Sequence, residues 1–354
     1  MIFNSVLYVL AAASVAGAAP AGATPPRDAP DRTVVTPYTE VPIVSGRNIV
    51  YCATAQLAWN DMRDRIIGED ITLEEPVSMV RYLNEGAASR SDMDERDYFV
   101  MAGTQGNRTV EEINRELKRR FGTRIPEMEQ RYGECLVTYS YFTKDLKFPR
   151  RFEEFKKQSV LFADGGRPVD VESFGIYEYV GQEHSPMGAQ AQILRYESPL
   201  DFIVRLVTDD PDDEVIIAKT RPDETLRATI DRVQAQVEGA APQKWLKRDV
   251  LVIPKLRVSF SHSYESLKGL YLRNDGWEEF YVYDMVQDVS FLLDEGGISM
   301  ESYMKLAFRQ KGPNDVNRRM VCNTPFLLYL KHNGGAHPYF AVWVENEELM
   351  IPRG

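Results

Sequence analysis

The residues whose types could do chemistry are four histidines, three cysteines and one dense run of carboxylates. His184, His262, His332 and His337 fall in turns and at strand ends, and none sits in a His-Glu-x-x-His spacing that would place two imidazoles on one helical face for zinc. His332 and His337 flank one hairpin and could approach each other, although their surroundings read as exposed turns. Cys52, Cys135 and Cys322 fit no metal spacing and no disulfide framework, and at least one of them has no partner within a monomer. All three read as small buried hydrophobes. Asp209-Asp210-Pro211-Asp212-Asp213-Glu214 lacks the alternating ligands and central glycine of a calcium loop and reads as a solvated loop. No glycine-rich phosphate loop and no nucleophile elbow is present. The residues therefore point to a chain that is not an enzyme, with no catalytic residue, no metal and no cofactor. Asn107-Arg108-Thr109 is a glycosylation sequon, relevant only to a eukaryotic secretory route.

The elements that carry these residues belong to a chain of 354 residues, 44% hydrophobic, with 53 acidic against 42 basic side chains. A net charge of -11 argues against a nucleic-acid partner, which requires a basic surface to displace counterions. Ile2 to Val15 is nearly all apolar or small, and Ala16-Gly17-Ala18 and Ala21-Gly22-Ala23 each offer a small-x-small cleavage pattern. Residues 1–23 therefore read as a signal peptide, 24–32 as a proline-rich linker and 33–354 as one domain of a secreted or extracytoplasmic protein. No later stretch is long and apolar enough for a membrane helix.

Arg47 to Ile67 opens with the extended Asn48-Ile49-Val50. Ala55, Leu57, Ala58, Met62 and Ile66 then suit a buried helix. Thr109 to Phe121 reads as a helix with Thr109 as its cap, Ile113, Leu117 and Phe121 as its apolar stripe and Gly122 as its stop. Strands follow at Leu136 to Phe142, either side of the Phe162-to-Gly166 turn, and around Glu197-Ser198-Pro199. A helix runs from Thr225 to Val237. Leu251 to Val258 reads as one strand and Val286 to Leu293 as another. Phe326 to Leu330 and Tyr339 to Val344 form a last hairpin. Helices concentrate in the first third, so the chain is not an alternating βαβ fold.

The order of these motifs resembles the serpin family. Asn48-Ile49-Val50 with its helix is similar to the opening of the serpin core helix. Ile113-Asn114, with Gly122 and Ile125 behind, is similar to the helix that crosses the large sheet. Leu136-Val137, Tyr141-Phe142, Phe148 and Phe152 resemble the central strand and its exit, although the family commonly has Asn-Ala where this chain has Thr138-Tyr139. Phe162, Gly165, Val169 and Val171 follow as the next hairpin would. Ile253-Pro254-Lys255-Leu256 resembles a Leu-Pro-Lys-Phe strand motif, and Asn323-Thr324-Pro325-Phe326-Leu327 the proline-phenylalanine strand start. Departures concentrate between Gly68 and Tyr98. The resemblance implies an α+β fold of three mainly antiparallel β-sheets with a cluster of helices. It also implies an exposed loop that, in inhibitors, is cut by a protease and inserted as a strand into the main sheet.

In the same way the resemblance places the loop's hinge at Glu295, Gly296, Gly297, Ile298 and Met300, and a candidate scissile bond at Lys311-Gly312. Insertion favours small uncharged side chains after the hinge, yet Glu301, Tyr303 and Lys305 are large or charged. This stretch alternates as a strand would, and Ser299 to Lys311 also fits a capped helix, the form favoured for an uninserted loop. The expectation is a monomeric, non-inhibitory serpin-like binding or scaffold protein whose partner is an extracellular protease or another protein ligand. The alternatives are a true inhibitor of a trypsin-like protease and, with least support, an unrelated hydrolase.

Overall fold

A computed structural model describes residues 29–104, 106–122, 136–155, 160–163, 167–180, 184–296 and 318–353. In chain order, β1 (Thr33–Thr36) and β2 (Asn48–Cys52) lead into α1 (Thr54–Asp61), α2 (Ser78–Glu85), β3 (Tyr98–Gly103), α3 (Gly106–Phe121) and β4 (Leu136–Asp145). Short strands β5 (Glu153–Glu154), β6 (Val160–Phe162), β7 (Val169–Val171) and β8 (Ser173–Ile176) precede α4 (Ser185–Gln190). Next come β9 (Ala191–Ser198), β10 (Asp201–Leu206), β11 (Asp213–Lys219) and α5 (Leu226–Val237). The chain continues through β12 (Val250–Pro254), β13 (Leu256–Ser263), β14 (Val282–Leu293), β15 (Arg319–Val321), β16 (Phe326–His332) and β17 (Phe340–Val344).

The strands form a seven-stranded sheet β1-β2-β17-β16-β11-β10-β9 and two four-stranded sheets, β15-β12-β8-β5 and β13-β14-β4-β3, with β6 and β7 as a separate hairpin. Pairing is mainly antiparallel; the parallel pairs are β1–β2, β12–β15 and β4–β14. The expected three-sheet α+β architecture is the one found. Phe340-Ala341-Val342-Trp343-Val344 is wholly buried, as a central strand covered on both faces must be. Each such large side chain contributes about 1.5–3 kcal/mol of transfer free energy.

α1 packs on the inner face of the β13-β14-β4-β3 sheet, where the Thr138 hydroxyl meets the Met62 sulfur at 3.7 Å. α3 covers the outer face through Val110, Ile113 and Leu117, against Phe99, Val137 and Tyr139. Thr225 caps α5 by accepting from the Ala228 amide at 3.1 Å, and Gly122, at φ +88°, ends α3 as expected.

Three expectations need correction. Thr109 does not cap α3, which begins at Gly106. Its side chain lies so close to Gly103 that a Cβ there would meet its hydroxyl at 2.4 Å. Leu251 to Val258 is not one strand: it breaks at Lys255 and divides between two sheets. The Lys255 amide donates to Glu172 O at 2.8 Å, its carbonyl accepts from the Ile351 amide at 3.1 Å, and its ammonium is held by carboxylates. The run Asp209 to Glu214 is not wholly a solvated loop, because Asp213 is buried and opens β11.

Candidate functional site

The site is the parallel junction of β4 and β14 together with the segment that leaves β14. The strands run side by side from Met285↔Thr138 to Leu292↔Asp145, flanked by antiparallel β13 and β3. A chain that reversed after β14 and lay between the two would be antiparallel to both. The junction is therefore a place where a further strand fits without breaking the hydrogen-bond logic of its neighbours.

At the exit of β14 the chain is pinned. The Glu295 carbonyl accepts from the Phe152 amide and the Gly296 carbonyl from the Phe148 amide, each at 3.1 Å. The Gly296 amide donates to Asp294 Oδ1 at 2.6 Å. A Cβ on Gly296 would meet that same carboxylate oxygen at 2.7 Å, so a larger residue there would have to turn the Asp294 side chain away. The Glu295 carboxylate, buried, bonds Lys255 Nζ at 2.8 Å and the Arg151 guanidinium. Lys255 Nζ also reaches Glu154 at 2.7 Å and Glu172 at 3.0 Å. Burial alone would raise the Glu295 carboxyl, but Lys255 and Arg151 outweigh it and hold the group below the usual carboxylate range. Burial likewise opposes charge on Lys255, and Glu154, Glu295 and Glu172 overcome that and raise its pKa.

Beneath the junction lies a buried polar knot. Gln287, on the inner face of β14, donates to Cys52 O at 3.0 Å and Thr54 Oγ1 at 2.8 Å, and accepts from the Tyr264 hydroxyl at 2.7 Å. These bonds tie the strand beside the junction to the start of α1. On the outer face the Tyr139 hydroxyl donates to Asp288 at 3.0 Å, linking β4 directly to β14.

A third cluster joins two sheets. Lys144, on the inner face of β4 and largely buried, bonds Asp97 at 2.5 Å, Asp210 at 3.4 Å and Asp213. His332 Nδ1 stands 3.8 Å from Asp213. His337 lies elsewhere, its amide donating to Asp92 at 3.1 Å. His184 is buried, accepts from the Val180 amide at Nδ1 and pairs with Glu153 through Nε2 at 2.7 Å. Among the described residues no group of three or more His, Cys, Asp or Glu side chains is placed to hold a metal ion, and no helix is long and apolar enough to cross a membrane. Cys52 and Cys322 are buried, with burial pushing their thiols up to about 11 and about 12, so both stay protonated and unreactive at neutral pH.

Of the hinge residues read from the sequence, Glu295 and Gly296 lie at this junction. Gly297, Ile298, Met300, Lys311 and Gly312 fall outside the described residues, as does the Ser299 to Lys311 helix. Sequence reasoning missed Lys255 as an ionic centre, and Gln287 and Lys144 altogether. The available signals were a lysine after proline between two strand-like runs, and polar residues in phase with the buried positions of their strands.

No protein-family model matches this chain and no curated protein matches it. Solved structures do. It is similar to a serine protease inhibitor, serpin-12, of Manduca sexta, with a TM-score of 0.50 at 12% identity, covering 86% of this chain and 94% of that one. A structure described as a highly specific serpin of the insect Tenebrio molitor aligns with a TM-score of 0.46 at 12% identity, over 84% of this chain and 92% of the other. At such identity the likeness establishes one thing, a serpin-like fold.

Proposed function

We propose that this chain is an extracytoplasmic serpin-fold protein that presents residues 297–317 to a protease but does not trap it. The observation that carries the reading is the parallel β4–β14 junction directly followed by the pinned hinge at Asp294 to Gly296. A segment leaving that hinge could enter the sheet only between two strands already bonded to each other, with Tyr139 linking them on the outer face and Gln287 holding β14 to the start of α1 on the inner face. In a trap, insertion must outrun hydrolysis of the acyl-enzyme. Glu301, Tyr303 and Lys305 would have to pass or desolvate at that junction, and a charged group buried without a partner costs several kcal/mol. Insertion is then slow, the acyl-enzyme hydrolyses, and active protease is released. Lys311 supplies the basic residue that a trypsin-like pocket selects through its buried aspartate. Export rests on the apolar, small-residue start of the chain.

The test is incubation of the full chain with a panel of trypsin-like and other serine proteases, read on denaturing gels. The expected products are two fragments, cut near Lys311-Gly312, and undiminished protease activity. A covalent complex that survives denaturation would establish the alternative, a true inhibitor.

A further inference from the structure

The loop 243–249 lies beside Arg318, the first described residue after Gly296. Trp245 anchors it from below, stacked on Tyr179 at 5.3 Å with its indole N–H on Ala191 O at 2.8 Å. Asp249 anchors it from behind, with a wholly buried carboxylate that accepts from the Leu246 amide at 2.8 Å and from the Arg318 amide and guanidinium at 3.0 Å. Arg318 closes the frame by donating to Lys244 O at 2.6 Å and to Gln243 at 2.9 Å. Between these anchors Arg248 is held at φ +74°, the one non-glycine residue with positive φ among those described. A conformation that costs on the order of 1 kcal/mol or more persists only where its surroundings impose it, and such strain clusters at functional positions.

What this rigid frame displays is unusual for an acidic protein. Leu246 is 46% exposed, one of few large hydrophobics so open to water. Lys244 and Lys247 lie within two residues of it in the chain and Arg319 follows Arg318, and all three are exposed. Arg248 is paired with Glu178 at 3.5 Å. An exposed apolar side chain with exposed cations beside it in the chain, on a loop fixed by Trp245, Asp249 and Arg318, has the composition of a small docking surface. It is bonded to Arg318, the residue that directly follows segment 297–317 in the chain.

We infer that loop 243–249 with Arg319 is a secondary contact for the attacking protease, one whose surface is acidic around its cleft. Leu246 supplies the apolar anchor, and Lys244, Lys247 and Arg319 steer the encounter. The inference rests on the reading of residues 297–317 as a protease target. Steering acts on the association step, is sensitive to the sign of the partner's charge and is screened by salt.

The experiment compares the full chain with its K244E/K247E/R319E variant as substrates for an anionic and a cationic trypsin, measuring second-order rates of cleavage between residues 297 and 317. At about 50 mM salt the anionic enzyme should cut the native chain about tenfold faster than the variant, and at about 1 M salt the two should converge. The cationic enzyme should show the opposite preference. Leu246→Ala should slow the anionic enzyme a few-fold at either salt concentration, with the circular dichroism unchanged. Rates indifferent to the charge reversal, or lowered equally for both enzymes, would overturn the inference while the loop reading stands. A sulfated polysaccharide whose binding is lost in the variant, with cleavage rates unaffected, would also overturn it by making the surface a polyanion site. If neither enzyme cuts between 297 and 317, the loop reading itself falls and the docking surface falls with it.

Discussion

Replacing Lys255 by Met should be the most damaging single change at the exit of β14. Lys255 neutralises Glu295, Glu154 and Glu172, and both it and Glu295 are nearly inaccessible to solvent. Met fills the stem but removes the charge, leaving three carboxylates converged around an apolar tip, with Arg151 as the remaining cation on Glu295. Removing one partner of a buried pair costs about 3–5 kcal/mol. Glu295→Gln leaves Lys255 with two carboxylates and loses a charged hydrogen bond worth about 1.5–3 kcal/mol. An unfolding entropy of about 2.1 cal/mol/K per residue gives roughly 0.7 kcal/mol/K here, so K255M should lower Tm by about 4–7 °C and E295Q by about 2–4 °C. The double variant should lose less than the sum, since each change removes the reason the other is harmful. Differential scanning calorimetry at one fixed scan rate measures all three. Equal losses for the two single variants, or strict additivity, would refute the claim that Lys255 is the centre of the cluster.

Three further outcomes follow from the same geometry. Because Glu295 is held below its unfolded value, its contribution is present above about pH 4.5 and fades as pH falls through the lower folded value; a pH series should find the Tm gap between native and E295Q chains closing in that acid range. Gln287→Leu strands the Tyr264 hydroxyl and the Thr54 and Cys52 acceptors, and should cost about 2–4 kcal/mol in chemical denaturation, with Tyr264→Phe costing less. Gly175→Ala would put a Cβ 2.2 Å from Leu251 O, at a φ of +146° that disfavours alanine; a loss of about 3 kcal/mol or more, or failure to fold, is expected from the forced parting of β8 from β12.

The strands and the buried helices were legible because their signals are local. Period-two alternation marked β14, and a helical stripe ending in a glycine marked α3. What local pattern could not carry was the partner across the sheet. Pro254 and Lys255 look like strand interior until Glu295 and Glu154, far away in sequence, are seen to draw the lysine out of line and divide the strand. Asp213 looked solvated because its neighbours are, whereas Lys144 from another sheet takes it into the interior. Thr109 satisfied a capping pattern, yet three further residues join the helix ahead of it and Gly103 gives its side chain room to pack. Glu295 and Gly296 are singled out by the resemblance alone; Gln287 and Lys144 declare themselves only through contacts between distant segments.

The central claim is that the loop is cut without being inserted, and one measurement tests it most directly. Limited trypsin digestion near Lys311 is followed by calorimetry of the nicked chain beside the intact one. The account predicts a Tm that rises little and full recovery of protease activity. A large rise in Tm after cleavage would mean that residues after Gly297 had entered the sheet between β14 and β4, and would contradict it.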